Sequence, residues 1–201
     1  NNPEKIFIIG GDCSVEIAPV SYLNKVYDSQ IAILWFDAHG DLNTPESSPS
    51  QTFHGMPLRL LLGEGEKSFV DLLLKPVNRG QVVLAGTRNL DKPESEYIES
   101  YEIKQISSND LEENTDTLLN MVKEMGVNNV YIHLDLDVLD PKEFSDVKCP
   151  TSFGLSIKTL LSQINKLKSN FRIVGASIVE YSTDKDECDS RLVELAKLLF
   201  A

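Results

Sequence analysis

The sequence predicts an α/β fold with a largely parallel central sheet. Six short segments are rich in β-branched and aromatic residues and are apolar at both odd and even positions, as in strands covered on both faces. Segments with apolar residues three and four apart alternate with them, which is the pattern of a parallel sheet with crossover helices. Acidic clusters follow two of the strands, at the edge where such sheets carry their sites.

The elements follow one another in a regular order. The predicted strands are Ile6–Ile9, Ile31–Phe36, Gln81–Ala85, Ile103–Ile106, Asn129–Leu134 and Ile173–Val179. The predicted helices are Val15–Val26, Leu58–Leu62, Leu111–Met125, Ser156–Leu167 and Arg191–Phe200, several of them preceded by Ser, Asn or Pro start signals. Long turn-rich connections, a frequent location of functional residues, are Asp41–Thr52, Asn89–Glu96 and Asp140–Gly154.

Length and charge restrict the class of protein. With 201 residues, the chain is long enough for one well-buried domain, which we expect to span 1–201. The net charge of −12 provides no basic surface for nucleic acid or for an anionic membrane. Surface acidity generally serves solubility, but it is also compatible with a small cationic substrate.

The cysteines and the start of the chain bear on compartment and completeness. Cys13, Cys149 and Cys188 form neither an even set nor a CxxC pair, and no apolar signal region is present. These features indicate a reduced, cytoplasmic protein.

The chain opens with Asn1-Asn2-Pro3 and runs almost directly into a strand, so we expect that an upstream segment is missing.

The two acidic clusters predict a metal site. Their candidate ligands are Asp37, His39, Asp41, Asp135 and Asp137. Side chains alternate along a strand, so Asp135 and Asp137 share a direction with His133. One aspartate at a strand end often caps the next helix, but this many converging acids would repel one another without a cation. Carboxylate-rich sites suit a pair of hard divalent ions that activate water.

Five short motifs follow one another along the chain. They are Gly10-Gly11-Asp12-Cys13-Ser14, Asp37-Ala38-His39-Gly40-Asp41, His54-Gly55-Met56-Pro57, Asp135-Leu136-Asp137-Val138-Leu139-Asp140-Pro141 and Val174–Glu180. Their order is that seen in the arginase/ureohydrolase family, and the chain resembles this family over nearly its whole length. The resemblance implies a three-layer α/β/α fold and a binuclear Mn²⁺ hydrolase that releases urea from a guanidinium group. It also implies a homo-oligomer, usually a trimer or a hexamer.

The resemblance also assigns the metal ligands. Asp37, His39, Asp41, Asp135 and Asp137 match the family's ligand positions, and Asp41 and Asp135 match those that bridge the two ions. Two cations lower the pKa of a water held between them, and the resulting hydroxide attacks the guanidinium carbon. The ions also stabilise the negative charge that develops in the tetrahedral transition state.

Two further catalytic residues follow from the resemblance. Glu180 resembles the carboxylate that pairs with the guanidinium, whose planar donors suit a carboxylate. His54 resembles the histidine that shuttles protons to the leaving amine. The alternatives are an ordinary loop acid at Glu180 and a turn histidine bonded to backbone at His54.

The loops bear on substrate choice. Asn43 and Ser50 resemble contacts to the α-carboxylate of arginine, and Asp91 and Glu94 resemble contacts to its α-amino group. Agmatine lacks the carboxylate, so these loops favour L-arginine. Solvated turn residues are the alternative interpretation.

Three positions depart from the family pattern. Cys13 stands where the family usually has a histidine ligand, and a thiolate is softer than Mn²⁺ prefers, so Zn²⁺, Fe²⁺ or Co²⁺ are alternatives. His133 stands where the family often has serine; it supplies the missing imidazole, contacts a ligand, or is a hydrogen-bonded strand histidine. Cys149, before Pro150 where the family commonly reads Thr-Pro, lines the pocket or packs inertly.

These observations support three functions. The first is Mn²⁺-dependent hydrolysis of L-arginine to ornithine and urea. The second keeps this machinery but acts on agmatine, guanidinobutyrate or formiminoglutamate. The third is a catalytically weak family member that binds metal or ligand, for which Cys13 is the main support.

Overall fold

The strands form one sheet, and it is parallel throughout. The computed structural model describes residues 2–184 and 186–200. Asn1, Lys185 and Ala201 lie outside the described residues, and Asn1 is one of the residues on which the expectation of a missing upstream segment rests. The sheet has the order β1-β6-β5-β2-β3-β4. Its strands are β1 (Ile6–Ile9), β2 (Ile31–Phe36), β3 (Val82–Ala85), β4 (Lys104–Ile106), β5 (Asn129–Asp135) and β6 (Arg172–Val179). The predicted α/β class is confirmed, and each predicted strand matches within one residue at either end.

The helices lie between the strands. They are α1 (Ile17–Val26), α2 (Pro57–Leu61), α3 (Lys67–Val70), α4 (Lys92–Ser100), α5 (Ser108–Glu113), α6 (Thr117–Glu124), α7 (Ile157–Asn170) and α8 (Ser190–Phe200). Short 3₁₀ turns cover Cys13–Glu16, Phe53–Gly55, Arg79–Gln81 and Leu136–Val138. Within residues 2–184 and 186–200, no helix has the length and apolar character needed to span a membrane.

The structure corrects two predictions about helices. The expected helix Leu111–Met125 is wrong: Asn114 adopts an extended conformation after α5, and its side chain accepts a hydrogen bond from the Asp116 amide (3.0 Å). Such local side-chain bonds compete with helix formation. The expected loop Asn89–Glu96 is also wrong in part, since α4 begins at Lys92 with an Asp91–Glu94 capping box.

Helices cover both faces of the sheet. Residues from α1, α2 and α4 pack on one face with Ile33, Trp35 and Tyr131. Residues from α5 to α8 pack on the other face with Leu34 and Ile132. This is the three-layer α/β/α arrangement that the family resemblance implies.

The strand order places the acidic clusters side by side. After β2, the chain adds β3 and β4 on one side of β2, and then β5 and β6 on the opposite side of β2. The direction in which strands are added therefore reverses at the boundary between β2 and β5, which is the topological switch point of the sheet. Sites in open α/β sheets form at this crevice. Phe36 is in register with Leu134, so Asp37 and Asp135 emerge from neighbouring strand ends.

Gly175 lies where β1, β5 and β6 approach closely. A β-carbon there would lie 2.6 Å from the Ile6 carbonyl oxygen and 2.7 Å from the Tyr131 ring. We expect Gly175→Ala to lower the free energy of unfolding by about 1–3 kcal/mol, measured by urea denaturation. Gly80→Ala, whose β-carbon meets nothing within 4 Å, is the control and should change it by less than about 0.5 kcal/mol. Equal midpoints for the two variants would contradict this packing argument.

Candidate metal centre and substrate cavity

Backbone amides hold the aspartates at the sheet edge. The Asp37 carboxylate accepts the His39 amide (2.6 Å), and Asp135 accepts the amide of Asp137 (2.7 Å), which the 3₁₀ turn after β5 redirects. Asp137 in turn accepts the Ala38 amide (3.1 Å), linking the segments after β2 and β5. The second oxygen of each carboxylate also has a neighbour. Asp37 Oδ2 accepts a hydrogen bond from Trp35 Nε1 (3.2 Å), Asp135 Oδ2 accepts one from the Cys13 thiol (3.2 Å), and Asp137 Oδ2 lies 3.1 Å from His39 Nδ1.

All seven predicted metal-ligand residues come together at this edge. Three sets of candidate ligand atoms lie within 4.8 Å of one another: Cys13 with Asp37, Asp41 and His133; Cys13 with Asp135 and Glu180; and Asp37 with His39 and Asp137. Except for the partly exposed His39, these residues are buried.

The residues fit a divalent cation. Asp41 Oδ2 and His133 Nε2 are fully buried and have no hydrogen-bond partner among the described residues. Buried polar atoms are normally satisfied, so two such atoms within a cluster of oxygen donors indicate a ligand that the protein itself does not supply. Asp41 also has a φ of 52°, in the left-handed region that non-glycine residues seldom adopt and that is enriched at functional sites.

The crowded carboxylates perturb one another's ionisation. Burial, and next the charge of Asp37, raise the pKa values of Asp41 and Asp135 well above their usual range. Burial also disfavours the charged form of Asp37, but the neighbouring imidazoles of His133 and His39 outweigh burial and lower the pKa of Asp37. Burial lowers the pKa of His39, but hydrogen bonds to Asp137 and Asp37 outweigh burial and raise this pKa to about 12. Protons and imidazoles therefore offset the negative charge in the metal-free chain.

Cys13 is a poor ligand in this arrangement. Burial raises the pKa of its thiol, and the charges of Asp41 and Asp135 raise it further. The thiol donates a hydrogen bond to Asp135 Oδ2 at 3.2 Å. Without a cation, Cys13 is thus a hydrogen-bond donor to Asp135, whereas the form that binds metal is the thiolate.

A cavity of about 290 Å³ opens above the cluster. The predicted substrate residues that line it are Asn43, Ser50, His54, Asp91, Glu94 and Glu180. Cys149 lines it as well, as one of its two predicted roles requires. Asp37 and His133 lie deeper, fully buried beneath its floor.

Glu180 and His54 form a pair at the cavity wall. The Glu180 amide donates to the Gly11 carbonyl (3.0 Å), which joins the end of β6 to the glycine-rich loop, and its φ of 63° is left-handed. His54 Nδ1 lies 3.5 Å from Glu180 Oε1. The hydrogen bond with Glu180 raises the pKa of His54, so its imidazole holds a proton more firmly than a free histidine.

The polar groups at the cavity mouth are already ordered. Asn43 Nδ2 donates to Asp91 Oδ2 (2.9 Å), and the hydroxyl oxygens of Ser50 and Thr52 lie 2.7 Å apart. Both carboxylate oxygens of Glu94 accept backbone amides, from Leu42 and Asp91. Glu94 therefore fixes the loop, and its predicted contact with a substrate stays a prediction.

Sequence reasoning missed three groups around the site. Asn89 Nδ2 lies 3.1 Å from His39 Nε2, within a segment treated only as loop. Glu16 is fully buried, and its Oε1 lies 3.5 Å from His133 Nδ1; an acid inside the apolar run of the predicted helix Val15–Val26 was the available signal. Arg88 directs its five N–H groups to the carbonyls of Gly86, Asp137, Val138, Thr151 and Ser152.

Comparisons with known proteins agree with this geometry. The model of the Arginase family matches residues 1–200. The chain belongs to the arginase family. The arginase of Staphylococcus aureus strain COL is 35% identical over 178 residues, which are 86% of this chain and 59% of that relative. The chain thus spans less than two thirds of the length of this arginase.

Solved arginases share the fold. The Bacillus cereus arginase structure superposes with a TM-score of 0.88 at 34% identity, covering 97% of this chain and 70% of that one. The Entamoeba histolytica arginase structure gives a TM-score of 0.91 at 23% identity, covering 100% of this chain and 71% of that one, and supports the fold alone. The predicted family membership and fold are confirmed.

We expect the metal-free protein to lose stability as the pH rises. The folded-state pKa values of Asp41 and Asp135 are raised, so their stabilising contribution is complete below about pH 4 and is lost as they ionise. The raised pKa values of His39 and His133 act in the same direction above about pH 6.5. The pKa of Asp37 is lowered, so its contribution to stability is present above about pH 4 and is lost only as the pH falls below that value.

Divalent metal should replace these protons. The difference in Tm between Mn²⁺-loaded and EDTA-treated protein should widen from about pH 5 to about pH 8. At a metal concentration of 100 times Kd the stabilisation should be about 2.7 kcal/mol. A difference that shrinks with rising pH would show that the carboxylates do not bind the metal.

Proposed function

We propose that this protein hydrolyses the guanidinium group of L-arginine to ornithine and urea, with divalent ions bound at the carboxylate cluster. One observation carries the proposal: the Glu180–His54 pair and Asp41 line one cavity. A guanidinium-binding carboxylate, a proton donor and candidate metal ligands thus surround a single volume. Relatives at 35% identity are arginases, which supports the same activity.

The proposed ligands are Asp37, His39, Asp41, Asp135 and Asp137, which all belong to the groups of candidate ligand atoms. The family resemblance would give Asp41 and Asp135 to both ions. Such ions, when bound, supply an ionised water at neutral pH and stabilise negative charge in the transition state. We propose Mn²⁺ as the native metal because the ligand atoms are carboxylate oxygens and imidazole nitrogens. In this assignment Cys13 is not needed as a ligand.

Glu180 and His54 act directly on the substrate in this proposal. The buried Glu180 carboxylate accepts hydrogen bonds from the guanidinium, whose planar donors it can bind in pairs. His54 Nδ1 is held beside Glu180, and the raised pKa of His54 favours the protonated imidazole, which gives its proton to the leaving amine. Binding and proton transfer therefore depend on the same carboxylate.

The cavity mouth supports an α-amino acid substrate. Asn43 and Ser50 provide neutral groups for a carboxylate, whereas Asp91 provides a charged group for an ammonium. Asp91 uses Oδ2 for Asn43, so the two recognition groups are held in one unit. Agmatine would leave the carboxylate-binding groups without a partner, at a cost in affinity.

The family resemblance further supports a homo-oligomer, which we propose to be a trimer or a hexamer. Cys13, Cys149 and Cys188 are free thiols. Free thiols support a reducing compartment, and we propose the cytoplasm.

A panel of substrates tests the proposed specificity. With Mn²⁺, urea release should favour L-arginine over agmatine and guanidinobutyrate by at least about tenfold in kcat/KM. Ser50→Ala should reduce that preference by up to about tenfold, since one hydrogen bond is worth about 1 kcal/mol. Ser152→Ala, exposed and outside the cavity, is the matched control. Equal turnover of arginine and agmatine would contradict the specificity, and no urea from any guanidino compound would contradict the activity.

Replacing Glu180 tests the pairing with His54. Glu180→Gln removes the acceptor that raises the pKa of His54, so the His54 titration followed by NMR should move to lower pH. In steady-state assays kcat/KM for arginine should fall about 100-fold. An unchanged His54 titration would show that the two side chains do not interact in solution.

A further inference from the structure

His133 occupies an unusual environment for a histidine in a sheet. It is fully buried in β5, in register with Trp35 of β2 and Ser177 of β6. Its ring stacks on Trp35 with centroids 3.7 Å apart. Neighbouring strands and this stack hold the ring in one orientation, which is the rigidity that a metal ligand requires.

The two ring nitrogens face different groups. Nδ1 lies 3.5 Å from Glu16 Oε1 and 3.4 Å from the Ser177 hydroxyl. Nε2 lies 3.8 Å from Asp37 Oδ2 and has no hydrogen-bond partner among the described residues. An Nδ1–H directed at Glu16 leaves the lone pair of Nε2 facing the cluster.

Glu16 is the second unusual group. Its carboxylate is fully buried, and neither oxygen has a hydrogen-bond partner in the described parts of the chain. A buried carboxylate without compensation is costly, and the His133 ring lies beside it, with Nδ1 3.5 Å from Glu16 Oε1. Metal-binding histidines typically donate their second N–H to such a carboxylate, which fixes the tautomer and raises the basicity of the ring.

We propose that His133, oriented by Glu16, is the imidazole ligand of the ion beside Cys13. One ring nitrogen of His133 belongs to the group of ligand atoms from Cys13, Asp37 and Asp41 that lie within 4.8 Å of one another, and Nε2 is the nitrogen that lies near Asp37. Two atoms that each lie about 2.1 Å from one ion are at most about 4.2 Å apart, and the 3.8 Å between Nε2 and Asp37 Oδ2 satisfies this limit. The assignment rests on the proposed metal centre.

The geometry of Cys13 agrees with this assignment. Its thiol donates to Asp135, and a second acidic oxygen, Glu180 Oε1, lies 3.9 Å from the sulfur. The sulfur thus faces carboxylates as a proton donor. In this assignment His133 of β5 replaces the histidine that the family usually has at the position of Cys13.

Cobalt(II) substitution distinguishes the two ligands. The wild-type chain should bind two Co²⁺ without the thiolate-to-cobalt charge-transfer band in the near ultraviolet, and Cys13→Ala should still bind two. His133→Asn, which retains a donor for Glu16 but removes Nε2, should bind one. Metal content is measured by elemental analysis, and folding of each variant by circular dichroism.

Glu16 is tested by an isosteric change. Glu16→Gln should keep both ions but raise the Kd of the weaker one about 10–100-fold. Tyr131→Phe is the matched control, because the Tyr131 hydroxyl is a buried neighbour of Glu16 that the proposal does not use, and Kd should stay at the wild-type value. Should His133→Asn fail to fold, the wild-type spectrum and the Glu16→Gln titration still decide the question.

Several results would overturn the assignment. They are a thiolate band that disappears in Cys13→Ala, two ions bound at wild-type Kd in His133→Asn, an unchanged Kd in Glu16→Gln, or a wild-type chain that binds one ion. Arginine hydrolysis together with two ions in His133→Asn would refute this inference alone. Loss of one ion in His133→Asn, combined with a two-ion wild-type chain that turns over no guanidino compound, would instead refute the proposed activity alone.

Discussion

The negative charge buried at the carboxyl edge of the sheet is the constraint on which this site depends. Asp37, Asp41, Asp135 and Asp137 are fully or almost fully buried, and the fold brings them together from two adjacent strands. Burying charges this close is unfavourable unless protons, imidazoles or cations neutralise them. The left-handed backbone at Asp41 is kept in this environment because surrounding contacts fix it. The local structure is therefore best explained by a cation that completes it.

Much of this arrangement is encoded in local sequence. The strands were predictable because β2 and most of β5 are buried on both faces; β2 is apolar at every position and β5 at most positions before its polar end. Parallel strands carry their sites at the carboxyl edge. The aspartates after those strands were predictable for the same reason. The break between α5 and α6 was not, because it depends on a single Asn114 side-chain bond.

The surroundings of His133 show where sequence reasoning stops. Strand alternation predicts that His133 shares a face with Asp135, as the structure shows. The partner of its other nitrogen was not predictable, because Glu16 reaches it from a 3₁₀ turn at a separation of more than a hundred residues. Long-range pairs of this kind depend on how elements pack, and periodicity carries no information about them.

Arg88 has a consequence for any protein that binds guanidinium groups. It carries such a group itself, half-buried beside the cluster, and the charge of Asp137 acts on it. All five of its N–H donors are directed to backbone carbonyls, so none remains to occupy a carboxylate in the cavity. Under the proposed function, Arg88 therefore does not compete with a guanidinium substrate for those carboxylates. A shorter or differently anchored side chain would lose both this protection and the anchoring of the loop around Thr151.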